Sequence, residues 1–276
     1  MVPRPSQGLT AMIEAAHPEI RLERRGGVLW VWINREPRRN AINAGVIAGI
    51  HAAIETAALD RTLRAVVLTG VGDKAFCAGA DLSKGTDTFQ AAPNEPTTDF
   101  GRLARAVKSL GIPLIGRVNG DCVAGGMGLM ALCDLAIAAD NARFGLPEVK
   151  VGVFPMQVLV LLRGMMHSRH INELCLGGQL IAARRALEMG LVNDVVPFAE
   201  LDARTDILLA QLMAGSPMAV RRGKQAIFAM ETMAFHEALA FAEAQISLAS
   251  RSSDAAEGLA AFNEKRKPRW AVAEGD

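Results

Sequence analysis

Val118 to Asp134 reads VNGDCVAGGMGLMALCD, a glycine-rich turn set between an extended apolar run and an apolar helical one. Upstream, Pro113 to Val118 has the compact apolar pattern of a buried strand, and downstream Asp134 to Ala138 (DLAIA) reads as another. Gly125 and Gly126 therefore sit just after a strand and open a helix. Backbone N–H groups at a helix start have no intrahelical partner and carry partial positive charge, so they suit an oxyanion. Glycines there also serve if they only let strand and helix pack closely, and spacing alone favours neither reading.

A second turn of small residues lies upstream. Ala75 to Leu82 (AFCAGADL) follows a buried-strand pattern at Arg64 to Gly70 (RAVVLTG) and places small residues where a backbone can approach a ligand. One N–H from each turn would make an oxyanion hole, worth about 3–4 kcal/mol per donor. Further out, two alternating runs from Glu19 to Asn34 flank Gly26-Gly27, the mark of a hairpin. Asn43 is placed to cap a helix whose apolar positions Val46, Ile47, Ile50, Ile54 and Ala57 recur at helical spacing. Another helix is predicted over Thr97 to Leu110.

Strands alternating with helices indicate an α/β architecture. Beyond Pro197 the pattern is helical almost throughout, to about residue 264, interrupted by GSP near Ala214 to Pro217. The expected division is a loose leader over 1–17, a core over 18–214 and a C-terminal helical region over 215–276.

Composition narrows the function classes. Thirty basic residues against 29 acidic ones give a net charge of +1 across 276 residues. A nucleic-acid binder would show a strongly basic face, so none is expected as a partner. No signal-peptide core is visible at the N-terminus. The apolar-rich run Gly152 to Leu162 falls far short of the ~20 residues that span a bilayer, so no membrane association is expected. Cys77, Cys122, Cys133 and Cys175 are scattered and read as reduced and mostly buried, which points to the cytoplasm. The chain has no tyrosine, which excludes any mechanism that needs a phenol.

Other motifs are weaker. Gly70 to Ala75 fits G-x-G-x-x-A, but no periodic helix follows, and Asp73 would face a pyrophosphate. There is no P-loop and no G-x-S-x-G nucleophile turn. His167 and His170, with Glu173 beyond, have no second ligand cluster, so no metal site is expected. Met127, Met130, Met156, Met165 and Met166 read as core or pocket lining, and Val158 to Leu162 is an apolar run that suits the wall of an apolar pocket.

Five segments together carry a resemblance: INREPRRNAIN (Ile33 to Asn43), AFCAGADL, VNGDCVAGGMGLMALCD, ARFGLPEVKVGVFP (Ala142 to Pro155) and AFNEKRKP (Ala261 to Pro268). In this order they resemble the signature of the enoyl-CoA hydratase/isomerase (crotonase) superfamily, from about Ile20 to Pro268. The resemblance implies a spiral core of ββα turns with C-terminal helices that mediate homotrimers, often paired into hexamers. It implies an acyl-CoA thioester as substrate, with coenzyme A entering as part of that substrate and no separate cofactor. The oxyanion donors map to Ala80 and Gly125. For coenzyme A, the first glycine loop at Ala78, the candidate phosphate partners Arg38 and Arg39, and Lys265, from this or a neighbouring subunit, are implied.

One departure changes the chemistry. Typical hydratases of the family carry a glutamate three positions past the oxyanion glycine, and that position is Gly128 here. Their second glutamate is retained as Glu148 in the segment Gly145-Leu146-Pro147-Glu148. Hydration divides acid and base work between two carboxylates, whereas a single carboxylate suits moving a double bond. The expectation is one-base isomerisation through Glu148. The alternatives are hydration with a substitute base or fixed water, and a non-catalytic acyl-CoA-binding subunit. Gly128 is expected to leave open space, and Asp81 to cap the following helix.

Overall fold

The computed structural model describes residues 10–83, 85 and 97–271. Strands β1 (Thr10–Ile13), β2 (Ile20–Arg25) and β3 (Val28–Ile33) run antiparallel to one another. Gly26, at φ +55°, turns the chain between β2 and β3, a conformation that costs glycine nothing. Residues 10–13, expected within a loose leader, instead form an edge strand whose register on β2 pairs Thr10 with Arg25 and Ile13 with Leu22.

Helix α1 (Ala44–Leu59) follows, and the Asn43 side chain accepts from Val46 N at 2.9 Å, as a capping asparagine does. Its buried positions Val46, Ile47, Ile50, Ala53, Ile54 and Ala57 make the helical stripe visible in the sequence.

From here a unit repeats. One strand of a large sheet, one short strand of a second sheet and a helix follow in turn. The first pass is β4 (Ala65–Gly70), β5 (Ala75–Cys77) and α2 (Asp99–Ser109). The second is β6 (Leu114–Val118), β7 (Asp121–Val123) and α3 (Gly125–Ala131). The third is β8 (Leu135–Ala139) and β9 (Arg143–Gly145), followed by α4 (Met156–Leu162) and α5 (Ser168–Gly177). β10 (Leu180–Ala182), α6 (Ala183–Glu188) and β11 (Asp194–Val196) close the core. The large sheet has the order β1-β2-β3-β4-β6-β8-β11 and the small one β10-β9-β7-β5. Within them β3-β4-β6-β8-β11 and β5-β7-β9 are parallel.

The two faces of the large sheet can be read from β3. Leu29, Val31 and Ile33 enter the main core with α1 to α3, while Val28 and Trp30 pack on the other face with Leu209 of α7 (Leu201–Ala214). Three further helices follow: α8 (Pro217–Met230), α9 (Phe235–Ala249) and α10 (Ser253–Asn263). Polar contacts tie α8 to the core: Lys224 Nζ donates to Asp134 Oδ2 at 2.6 Å and to the Ile112 carbonyl at 2.9 Å. No helix among the described residues is long and apolar enough to cross a membrane.

Two buried asparagines hold the crossing from the large sheet to the small one. Asn40 Nδ2 donates to the carbonyls of Val71 (3.0 Å) and Ala75 (2.8 Å), and Asn119 Nδ2 to that of Gly72 (2.7 Å). Asn40→Ala would take the side-chain donor from the Val71 carbonyl and leave the Ala75 carbonyl with only the longer bond from Asn119 at 3.3 Å. It should destabilise the fold by about 2–4 kcal/mol, read as a lowered urea midpoint with an unchanged slope.

Candidate active site

Three short parallel strands, adjacent in the order β5-β7-β9, end side by side. Ala80 lies three residues past the end of β5, Gly125 two past β7, and Glu148 three past β9. Ligands of open parallel sheets bind outside the carboxyl ends of the strands. Neighbouring strands are ~4.8 Å apart, so three consecutive ends span about 10 Å, the scale of a small acyl group. The small sheet thus gathers in one row three residues that lie well apart in sequence, at positions 80, 125 and 148.

The strand ends are fastened to one another. Ala124 N donates to the Gly145 carbonyl at 2.9 Å, joining the ends of β7 and β9. The ends of β5 and β7 meet at glycine: a Cβ on Gly79 would lie 2.8 Å from the Ala124 Cβ, and one on Gly125 would lie 3.7 Å from Ala80 N. Gly79 has φ +97° and Ala124 φ 52°, backbone that costs a non-glycine residue about 1–3 kcal/mol. A Cβ on Gly126 would collide with the Cys77 carbonyl. The two neighbouring glycines of this turn therefore differ in use: Gly126 permits packing, and Gly125 lies beside Ala80.

Ala80 is placed by a parallel bridge to Ile42, in which Ile42 N donates to the Gly79 carbonyl and Asp81 N to the Ile42 carbonyl, both at 2.7 Å. These bonds use the N–H groups on either side of the bridge and leave that of Ala80 out of it.

Glu148 stands in a short 3-10 turn over Pro147–Val151. Its Oε2 is buried with no hydrogen-bond partner, and burial pushes the carboxyl above the ordinary value of 4.5. Helix α5 packs against this turn. The Cys175 thiol is raised first by its own burial and then by the Glu148 charge. A carboxylate short of partners and short of water is a proton acceptor of increased basicity.

At Gly128 the structure corrects the expectation of open space. A Cβ there would meet the Phe100 ring at 2.9 Å and Val158 Cγ2 at 3.1 Å. Phe100 from α2 and Val158 from α4 close the position with an apolar wall. No spacing rule in the sequence links either residue to Gly128, since the pairing is made only by the packing of α2 and α4 around α3. Asp81 is no substitute acid: its Oδ1 accepts from Ser83 N at 3.1 Å and its Oδ2 from Arg35 at 2.8 Å. The arginine holds its carboxyl down to about 2.

The remaining sequence candidates are placed as follows. Arg38 and Arg39 are exposed on the turn before α1. The Arg39 carbonyl accepts from Ala78 N at 3.1 Å, which brings these two residues together and commits the Ala78 N–H within the protein. Lys265 is exposed at φ 56° in the turn after α10. His167 caps α5, and His170 Nδ1 lies 3.7 Å from Glu173. Among the described residues, no three His, Cys, Asp or Glu side chains are grouped to hold a metal ion. All four cysteines are buried and free. Met127 and Met130 are core residues, whereas Met156 is largely exposed.

The chain belongs to the enoyl-CoA hydratase/isomerase family, whose model matches residues 23–273. The 2,3-dehydroadipyl-CoA hydratase of Escherichia coli is 34% identical over 253 residues, covering 91% of this chain and 97% of that protein. The short-chain-enoyl-CoA hydratase of Clostridium acetobutylicum is 34% identical over 250 residues, covering 89% and 95%. Among solved structures, an enoyl-CoA hydratase of Mycobacterium smegmatis aligns with a TM-score of 0.84 at 31% identity, covering 93% of this chain and 100% of that one. The α/β core of ββα turns with its C-terminal helices is accordingly the crotonase fold.

The contact between the two glycine turns can be tested directly. Gly126→Ala should push α3 away from the Cys77 carbonyl, at a cost of about 1–3 kcal/mol in stability. A shift of ~1 Å in the strand-end row should lower turnover by about 100-fold, measured beside thermal denaturation of the same variant.

Proposed function

We propose that this enoyl-CoA hydratase/isomerase family enzyme moves a double bond in an acyl-CoA thioester, using Glu148 as its one proton carrier. The observation that carries the reading is the buried, unpartnered Glu148 Oε2 at the end of β9, across the strand row from Ala80. Glu148 takes a proton from C2 of a 3-enoyl thioester, and the C–H electron pair enters a dienolate whose charge gathers on the thioester oxygen. The N–H groups of Ala80 and Gly125 receive that oxygen. Glu148 then returns the same proton to C4, which leaves the 2-enoyl thioester. No external acid or water is consumed.

The wall at Gly128 favours this chemistry over hydration. Where a second carboxylate would activate water, the Phe100 ring and Val158 methyl stand instead. The hydratase reading draws support from the names of the relatives, and it requires turnover of a 2-enoyl-CoA. A silent acyl-CoA-binding subunit would show saturable binding and no turnover of either substrate. For the coenzyme A portion, Arg38 and Arg39 supply a cationic edge beside Ala78 in the first glycine turn, with Lys265 reaching it from this or a second subunit. Apolar residues on α8 to α10, with Phe262 81% and Phe235 74% exposed, support assembly into a homotrimer or hexamer.

The native enzyme should isomerise a 3-enoyl-CoA. Glu148→Gln should lose about 10²–10⁴ of that rate, and retained turnover in this variant would rule the mechanism out. The base must be ionised, so kcat/KM should rise with pH through a value above 4.5. For stability the sign is opposite. A raised carboxyl favours the fold below its unfolded value and loses that contribution as pH rises through the folded one. Glu148→Gln should therefore match or exceed the native melting temperature at pH 7 and converge with it in acid.

Hydration should not follow from Gly128→Glu alone, because the Phe100 ring stands in the way. It should rise only in Gly128→Glu combined with Phe100→Ala, followed as loss of the conjugated enone on adding water.

A further inference from the structure

The arginine of the INR segment has no part in the chemistry above, yet it is the most heavily tied side chain near the first glycine turn. Arg35 Nη1 donates to the Ala41 carbonyl at 2.6 Å, and Nη2 to Asp81 Oδ2 at 2.8 Å. Its Nε lies 2.9 Å from Glu19 Oε1, which also accepts from Asn43 Nδ2 at 2.7 Å. The Arg35 side chain is only 13% exposed and that of Asp81 16%. Its backbone is held as well, since Arg35 N donates to Asn40 Oδ1 at 3.1 Å.

What these contacts span is the Ile42–Ala80 bridge. Ala41 precedes Ile42 on one side of it, and Asp81 follows Ala80 on the other. One planar guanidinium thus grips both chains of the bridge next to Ala80. Its fork fixes the distance between them, which a flexible ammonium at the same place would not. The bridge determines the plane of the peptide that carries the Ala80 N–H, and Glu19 holds the third edge of the guanidinium from the far side.

We propose that Arg35 is a positioning residue that sets the direction of the Ala80 N–H, so that the Glu19–Arg35–Asp81 clamp tunes how strongly the thioester carbonyl is polarised. This rests on the reading of Ala80 as an oxyanion donor. Arg35 itself touches no substrate. Its loss should reach the chemical step through a turned peptide and leave the binding of the coenzyme A portion nearly untouched.

The test uses the full-length protein and a conjugated aryl-enoyl-CoA, whose absorbance moves to longer wavelength when its carbonyl accepts hydrogen bonds. The native protein should bind it saturably with a red shift. Arg35→Met should bind with a Kd within about threefold of native, show a clearly smaller shift, and lose about 10- to 100-fold in kcat with KM little changed. Arg35→Lys, which keeps the charge but not the fork, should fall between the two. If Arg35→Met does not give a native circular dichroism spectrum, Arg35→Lys and Asp81→Asn carry the same comparison. A folded Arg35→Met with the full red shift and native kcat overturns the clamp while leaving the oxyanion reading intact. Saturable binding with no shift in the native protein overturns both.

Discussion

Close contact between two backbone turns is the constraint on which this molecule depends. Gly79 and Gly125 leave no side chain between the ends of β5 and β7, so Ala80 N lies 3.7 Å from where a Gly125 Cβ would be. Without side chains there, the backbones of the two turns come into close approach. Strands of the small sheet need only three residues each, since their task is to deliver chain ends to a row. Buried asparagines, not longer strands, hold the crossings between the sheets. Asn40 and Asn119 donate to the carbonyls of Val71, Gly72 and Ala75 at 2.7–3.3 Å, and that of Ala75 is buried.

The rest of the site is a matter of what surrounds that row. An oxyanion donor stabilises charge as it develops, and its worth rises as water is excluded. Phe100 and Val158 exclude water from one side of α3, at the position where many relatives of this fold class place a second carboxylate by the family resemblance. Removing a buried carboxylate also removes its desolvation cost, and filling the space with a ring and a methyl adds packing. The exchange is therefore favourable for the fold. It leaves one group to carry protons in the proposed chemistry, and that group is the buried Glu148.

How much of this was legible in the sequence follows from element length. The five- and six-residue strands β2, β3, β4, β6 and β8 show enough residues to reveal a pattern, and α1 shows its cap and its stripe at once. The three-residue strands β5, β7 and β9 show fewer residues than a two-residue period needs, so AFC and DCV read as parts of the glycine turns and RFG gives no strand signal. Their pairing is set by tertiary contact. The glycine turns are legible because glycine answers to backbone geometry, whereas Glu148 in the G-x-P-E segment stands out only through the family resemblance. The wall at Gly128 was invisible for the opposite reason: phenylalanine and valine fit any core, and only the packing of α2 and α4 assigns them to this one. Residues 10–13 were misjudged because a four-residue edge strand with one partner leaves little mark.

The charges divide in the same physical terms. A partly buried ion pair adds little net stability, since the desolvation of both groups offsets much of their attraction. Holding Arg35 between Glu19 and Asp81 is thus a poor way to stabilise a fold and a good way to fix a geometry. Asp81 and Glu148 are both carboxylates of the strand-end loops, yet their surroundings push them apart. Hydrogen bonds from Arg35 hold Asp81 down to about 2, so it stays ionised and fixed. Burial without a partner raises Glu148. Two like groups driven in opposite directions suit different tasks, one as a permanent charge and, in the proposed chemistry, one as a carrier of protons. The partnered carboxylate cannot give up its place without breaking the clamp. The unpartnered one gains or loses a proton at small cost to the structure, and a site that returns the proton it has taken needs a group of that kind.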